Sequence, residues 1–345
     1  MTPAINVLTT GAGAPGAAGI IKCLQQEPAI QLIVADADSN AVGRYLNPAF
    51  YVIPKATDDG FVPALLHICR MEAIDLIMPL VTRELFPLSQ QAHLFKEAGT
   101  KVMVSPPDAI HVANDKAACY RFLQDKGIAV PQFLTAETTE EFIHAAFALG
   151  HPQKPFCFKP AVANGSRGFR VVSEGINESE QLFHTKPYNI YITYTHAVKI
   201  LSSQSFPPLV VSEYLPGEEY SVDCLAEWGD AILVVPRLRQ KMINGISVQG
   251  RFINDSKIID YCKQIIKAVG LHGNIGIQVK RSQNGNPLLL EINPRVQGTI
   301  VAALGAGVNL PLLAVKKSME IPIEPSEMDV AWGTSFSRVW TEVYY

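Results

Sequence analysis

Four short apolar runs punctuate the first hundred residues, at 5–10, 31–36, 74–79 and 101–104. Helix-length stretches separate them: about ten residues after Gly16, then 61–72 and 84–97. Strands that alternate with helices cannot pair as hairpins, because each crossover returns the chain in the same direction. The pattern requires a parallel sheet with helices on both faces. The first run opens onto Gly11-Ala12-Gly13-Ala14-Pro15-Gly16 and then a helix, so its amides can receive an anion. Asp36 closes the second run 20 positions after Gly16, as in dinucleotide binders. A tight strand-to-helix turn also needs glycine on steric grounds alone. Cofactor binding, substrate binding and a structural turn all stay open for this loop.

The chain has 345 residues, enough for two or three packed units. Its net charge of −3 creates no bulk field for nucleic acid or membrane. The N-terminus lacks a basic region followed by a long apolar segment, and no run of about 18 apolar residues occurs. Cys23, Cys69, Cys119, Cys157, Cys224 and Cys262 are scattered, without metal-finger or redox spacing. A reducing cytoplasm is the expected location. The eight histidines are scattered too, and none groups for zinc.

After residue 110 the pattern changes. Asn114-Asp115-Lys116 reads as the cap of a helix to about Lys126, and 138–149 as another helix. Strands at 156–160 and 169–172 flank a small-residue loop, while 186–208 resist assignment. Strands follow at 209–214, 220–226 and 231–236, then a helix at 255–270. Helices at about 298–305 and 310–319 and a closing strand within 335–345 complete the chain. This is an α+β arrangement. The expected units are 1–110, 111–205 and 206–345.

The stretch Leu288 to Arg295 carries the strongest chemical signal. An apolar run bears a carboxylate, an amide two residues on, and an arginine two further. Side chains alternate faces along a strand, so Glu291, Asn293 and Arg295 share a face if the strand runs that far. Carboxylate and amide oxygens are hard ligands of the kind Mg²⁺ prefers. A guanidinium beside them can hold a phosphate. The upstream strand 276–280 offers Gln278 as a third donor, and the turn 283–287 joins the two as a hairpin.

Two further elements suit a nucleotide. Lys159 ends a strand, and Asn164-Gly165-Ser166-Arg167-Gly168 bridges to the next. Small residues let a backbone close over phosphate oxygens, while Lys159 and Arg167 supply charge. The order is not that of a P-loop. At 211–220, a strand leaving the core exposes the backbone of Tyr214 and Leu215, which can read an adenine edge. Glu213 can accept from the amino group and Glu219 from ribose hydroxyls.

Taken in order, Lys159, the small-residue loop, Glu213-Tyr-Leu-x-Gly-x-Glu219, Gln278 and Glu291-x-Asn293-x-Arg295 resemble the ATP-grasp superfamily, nearest to its carbamoyl-phosphate-synthase-like members. Asn114-Asp115-Lys116 matches the entry to that family's central domain. The resemblance covers essentially the whole chain. It implies a parallel-sheet pre-ATP-grasp domain followed by two α+β subdomains that sandwich ATP. By the same resemblance Lys116 and Lys159 contact the phosphates and the loop 163–168 closes over them. Glu213 and the backbone of Tyr214 and Leu215 hold adenine, and Glu219 holds ribose. Gln278, Glu291 and Asn293 bind one or two Mg²⁺, with Mn²⁺ as a substitute ion, and Arg295 stabilises the acyl-phosphate transition state. The implied activity activates a carboxylate as an acyl phosphate, releases ADP and joins the acyl group to an amine. Implied partners are small-molecule carboxylates and amines, with neither nucleic acid nor membrane, and a homodimer as the assembly to test. The chain is poorer in glycine at the loop than many members, too short for a duplicated synthase, and shows no glutaminase segment.

The substrates are less legible. Arg237 and Arg239 follow the strand 231–236 and precede a Gly/Ser segment, so either can bind a substrate carboxylate or simply be solvated. Arg83 and Glu84, after the third strand, are further candidates. The rival readings are a nicotinamide-dependent oxidoreductase built on Gly11–Gly16 and Asp36, a nucleotide-binding protein without turnover, and a ligase that uses bicarbonate or ammonia.

Overall fold

The computed structural model describes residues 4–163, 165, 167–184, 190–243 and 245–345. Its first third alternates as the sequence requires: β1 (Ile5–Thr10), α1 (Ala17–Leu24), β2 (Ile30–Asp36), α2 (Gly43–Leu46), β3 (Phe50–Val52), α3 (Phe61–Met71), β4 (Leu76–Pro79), α4 (Thr82–Gln90), α5 (Ala92–Glu97) and β5 (Lys101–Val102). The strands form a parallel sheet in the order β3-β2-β1-β4-β5. The sequence left out the edge strand β3 and the short α2. The expected helix 84–97 is two helices, α4 and α5. The sheet is buried on both faces. Ile5, Val7, Leu32 and Val34 pack to one side, and Leu8, Ile33, Ala35 and Ile77 to the other.

Next come α6 (Pro107–Asn114), α7 (Lys116–Asp125), β6 (Phe133–Ala136), α8 (Thr139–Ala148), β7 (Phe156–Pro160), β8 (Arg170–Val172), α9 (Glu178–His184), β9 (Tyr191–Ile192), α10 (Tyr194–Leu201) and β10 (Leu209–Glu213). Asp115 caps α7 by accepting from the amides of Ala117 and Ala118 at 2.8 and 3.0 Å. Thr138 and Glu141 form a capping box on α8. Strands β6-β10-β7-β8-β9 make the second sheet, so Leu209–Glu213 pairs there rather than with the strands that follow it. Among the unassigned residues, 190–208 contain β9 and α10, while 186–189 lie outside the described residues.

The third sheet is antiparallel, in the order β15-β14-β11-β12-β13-β16. Its strands are β11 (Glu219–Glu227), β12 (Asp230–Ile243), β13 (Ile246–Phe252), β14 (Gly273–Arg281), β15 (Pro287–Asn293) and β16 (Ser335–Ser337), with α11 (Ser256–Val269) after β13. A 3₁₀ stretch, Ile300–Ala306, and α12 (Leu310–Ser318) precede β16. Alternation along β11 explains the layering. Tyr220, Val222, Cys224 and Ala226 pack against α6, α7 and α11. Glu219, Ser221 and Asp223 occupy the opposite face, where Leu225 joins the core of the first sheet. That core also takes in Val296, Ile300, Leu310 and Leu313, so residues far apart in the chain cover one face of the parallel sheet.

Two sequence expectations change here. Strand β12 runs on to Ile243, so Arg237 and Arg239 lie within a strand, and the Gly/Ser segment is mostly β13. Strand β15 ends at Asn293 because Pro294 follows, and Arg295 comes after a turn in which its amide donates to the Asn293 carbonyl at 2.7 Å. Only Glu291 and Asn293 therefore share a face by strand alternation.

Candidate active site

A cavity of about 800 Å³ lies between the second and third sheets. The second sheet contributes Cys157, Lys159, Val171, Ser212 and Glu213, and the third contributes Glu219, Arg239, Gln278, Lys280, Leu290 and Glu291. Gly165, Arg167, Gly168, Lys116, Tyr214 and Leu215 also line it. Gly168 has φ +74, and a Cβ there would come within 2.6 Å of Pro160, so the loop turns only with glycine at this point. Asn164 and Ser166 of the same loop lie outside the described residues.

Glu291 and Gln278 are directly paired across β15 and β14, which sets both on one face. The Glu291 carboxylate lies 3.7 Å from the Lys116 ammonium and accepts from the Asn293 amide at 3.1 Å. Gln278 Oε1 accepts from Arg239 at 3.2 Å, and Arg239 also pairs with Glu219. Three oxygen-bearing side chains thus converge on one strip of sheet, a donor set suited to Mg²⁺. Asn293 presents its amide nitrogen to Glu291. Turning that amide over would bring its oxygen beside the carboxylate.

A β-bulge shapes this strip. The pairing of β14 with β15 shifts between Gln278 and Val279, leaving Leu290 without a partner. Its carbonyl accepts from Lys159 Nζ at 2.7 Å and from the Tyr120 hydroxyl at 2.9 Å. Lys116 Nζ donates to the Ala163 carbonyl at 2.6 Å. Both ammonium groups are therefore aimed into the cavity by backbone oxygens. Burial, with Lys116 adding to it and Glu291 opposing, pulls Lys159 down to about 8. If Lys159 contacts a nucleotide phosphate, only its charged form can do so, and that hold would weaken as pH rises through about 8. We expect MgADP affinity to fall by up to about tenfold per unit above pH 8, and Lys159→Arg to flatten the dependence. Calorimetric titrations from pH 6.5 to 9.5 read this directly, and a flat wild-type profile would remove Lys159 from the phosphate contacts.

The other candidates fall in distinct places. One oxygen of Glu213 accepts from the Gln132 amide at 2.8 Å, so the carboxylate anchors the cavity wall as well as lining it. Arg237 does not reach the cavity. It is fully buried, bonds Asp223 at 3.2 and 3.3 Å and Thr299 at 2.9 Å, and has the Phe336 ring 5.5 Å from its guanidinium carbon. Arg83 is exposed on α4, and Glu84 is buried one residue later. Arg295 donates to Thr82 at 3.0 Å and to Asn293 at 3.4 Å, bridging the oxygen donors to the start of α4. Asp36 uses both oxygens on the amides of Gly13 and Asp38 at 2.7 and 2.8 Å. Gly16 meets Gly298 backbone to backbone, where a Cβ would come within 2.3 Å. The first glycine loop is therefore packed by its own turn and by Gly298. Sequence reasoning passed over Tyr120 and Lys280. Tyr120 stands four residues after Lys116 on α7, a spacing that puts both on one helix face. Lys280 stands two residues after Gln278 and lies 4.9 Å from the Tyr214 ring centre.

Comparisons with known proteins bear on the family and the fold. Residues 205–339 match a family model described as ATP-grasp in the biosynthetic pathway with Ter operon, and residues 7–103 match the PylC-like N-terminal domain. The arginine-specific large chain of carbamoyl phosphate synthase from Halalkalibacterium halodurans is 23% identical over 313 residues, covering 86% of this chain and 25% of that protein. The chain thus spans about a quarter of that relative's length. Among solved structures, an ADP complex of N5-carboxyaminoimidazole ribonucleotide synthetase superposes with a TM-score of 0.71 at 13% identity, over 95% of this chain and 80% of the other. The L-amino acid ligase of Bacillus licheniformis gives 0.63 at 15% identity, over 95% and 77%. At these identities the structural matches speak to the fold.

Proposed function

We propose that this chain is an ADP-forming ligase of the ATP-grasp superfamily, one that activates a carboxylate as an acyl phosphate and joins it to an amine. The observation that carries this reading is the gathering of Lys116, Lys159, Gln278 and Glu291 around one cavity, with Asn293 and Arg295 bonded in series behind Glu291. Each residue has a part. Lys159 and Lys116, aimed by backbone carbonyls, neutralise phosphate oxygens. Tyr214 and Leu215 offer backbone to adenine, with Glu213 fixed beside them. Gln278, Glu291 and Asn293 would hold Mg²⁺, which when bound withdraws charge from the transferring phosphoryl group. Arg295, half-buried and bonded to Asn293, would offset charge on the acyl phosphate. Arg239, already between Glu219 and Gln278, is the better-placed of the two strand arginines to meet a substrate carboxylate. The segment bearing Gly165 and Gly168 closes the phosphate side against water.

Bicarbonate and ammonia, the substrates implied by the likeness to carbamoyl phosphate synthase, form a second reading within the same chemistry. Six cysteines, all buried and unpaired, fit a reducing cytoplasm. Among the described residues no single helix is long and apolar enough to cross a membrane.

The test is Mg²⁺-dependent release of ADP and phosphate against pooled carboxylates and amines, with bicarbonate plus ammonium as a separate arm. Release that requires both a carboxylate and an amine pool is the expected result. Nucleotide binding with no release in any arm would turn the reading toward a sensor.

A further inference from the structure

The first sheet has a topological switch point. From β1 the chain crosses to β2 on one side, and after β3 it returns to β4 on the other. Ligands of such sheets sit in the crevice at the carboxyl ends of those two strands. Thr10 is the last residue of β1, and Glu84 stands in the first turn of the helix that follows β4. The Thr10 hydroxyl donates to Glu84 Oε2 at 2.6 Å. Glu84 is 7% exposed and forms no ion pair among the described residues. A buried carboxylate without a cation is costly and persists where a ligand can repay the cost.

This crevice adjoins the nucleotide site. Thr82, in the same helical turn as Glu84, accepts from Arg295, and Arg295 donates to Asn293. The Gly16–Gly298 contact holds the two halves together on the other side. Charge is divided between the halves. Lys116, Lys159, Arg167, Arg170, Arg239 and Lys280 line the nucleotide cavity and outnumber its carboxylates, Glu213, Glu219 and Glu291, whereas the groups acting on Glu84 are the Thr10 hydroxyl, the Val81 backbone and another carboxylate, Asp36. A carboxylate substrate suits the cationic half, and a cationic one suits the crevice.

We propose, resting on the ligase reading above, that the crevice is the amine site and that Glu84 receives the substrate's primary ammonium group. Glu84 then takes one proton from the ammonium and leaves a neutral amine. The nitrogen lone pair forms the C–N bond at the acyl carbon. The C–O bond to phosphate breaks with its electron pair on phosphate, which accepts the second proton. Burial, eased by Thr10 and strengthened by Asp36, raises the Glu84 carboxyl to about 7, which suits a group that accepts a proton near neutrality.

The test is calorimetric and needs no turnover. Protein saturated with MgADP is titrated with ammonium chloride, ethanolamine, glucosamine and each of the twenty common L-amino acids. At least one amine should bind, and Glu84→Gln should weaken it by about tenfold or more while the MgADP Kd stays unchanged. Thr10→Val, which frees the carboxylate from its hydroxyl, should weaken the same amine by less and serves if the first variant does not fold. Equal amine affinity in wild type and variants, or no amine bound by the MgADP-saturated wild type, would overturn the assignment. Failure of MgADP itself to bind would count against the ligase reading instead.

Discussion

Glu291→Ala is expected to lower ATP turnover by about a thousandfold or more, a loss of roughly 4 kcal/mol of transition-state stabilisation, with the fold intact. Glu291 is the pivot of the site. It faces Gln278 across the strands, accepts from Asn293 and sits beside Lys116. Alanine removes the one formal negative charge among the three oxygen donors. The Lys116 ammonium then loses its counter-charge but keeps the Ala163 carbonyl. The side chain is only partly buried, so its removal opens no cavity in the core. Circular dichroism and the urea midpoint should match wild type while ADP release vanishes. Turnover within tenfold of wild type would disprove the assignment of Glu291 as a metal ligand.

Asp223→Ala should be among the most damaging single changes to stability, at about 3–5 kcal/mol. Asp223 and Arg237 are both fully buried and pair at 3.2 Å. Burial pushes the Asp223 carboxyl above its ordinary value, against the pull of Arg237. Neither partner is fully satisfied: among the described residues, Asp223 Oδ1 and Arg237 Nη1 lack a hydrogen bond. Alanine would leave a guanidinium in the core with Thr299 and the face of Phe336 as its remaining company. Replacing both residues, as Asp223→Leu with Arg237→Met, should recover most of the loss, since an apolar pair needs no counter-charge. Urea denaturation of the single and double variants reads the difference. A single variant that loses less than about 1 kcal/mol would show that the pair contributes little.

Arg237 and Arg239 also mark the limit of what sequence conveys here. They are two residues apart on one strand face, and nothing local tells them apart. What separates them is position relative to other strands. Arg237 lies opposite Ser221 and Phe252, with the ring of Phe336 from β16 against its guanidinium, whereas Arg239 meets Glu219 and Gln278. The parallel sheet was legible because each of its longer strands is apolar on both faces and is followed by its own helix. The hairpin of β14 and β15 was legible because a polar turn with a glycine, Gly285 at φ +77, joins two largely apolar runs. The bulge at Leu290 was not, because one apolar residue in a row of three carries no sign that its carbonyl leaves the ladder. Likewise the burial of Glu84 depends on Thr10, 74 residues away, which no short-range pattern reports.

The shared core beneath the first sheet bears on how the chain is made. Ile5, Val7, Leu32 and Val34 are covered by Ile300, Leu310 and Leu313, which a ribosome supplies more than 250 residues later. During synthesis one side of the nascent sheet stays bare while two further sheets are translated. A separately expressed fragment of residues 1–110 would present the same uncovered surface and should need a solubilising partner or a chaperone.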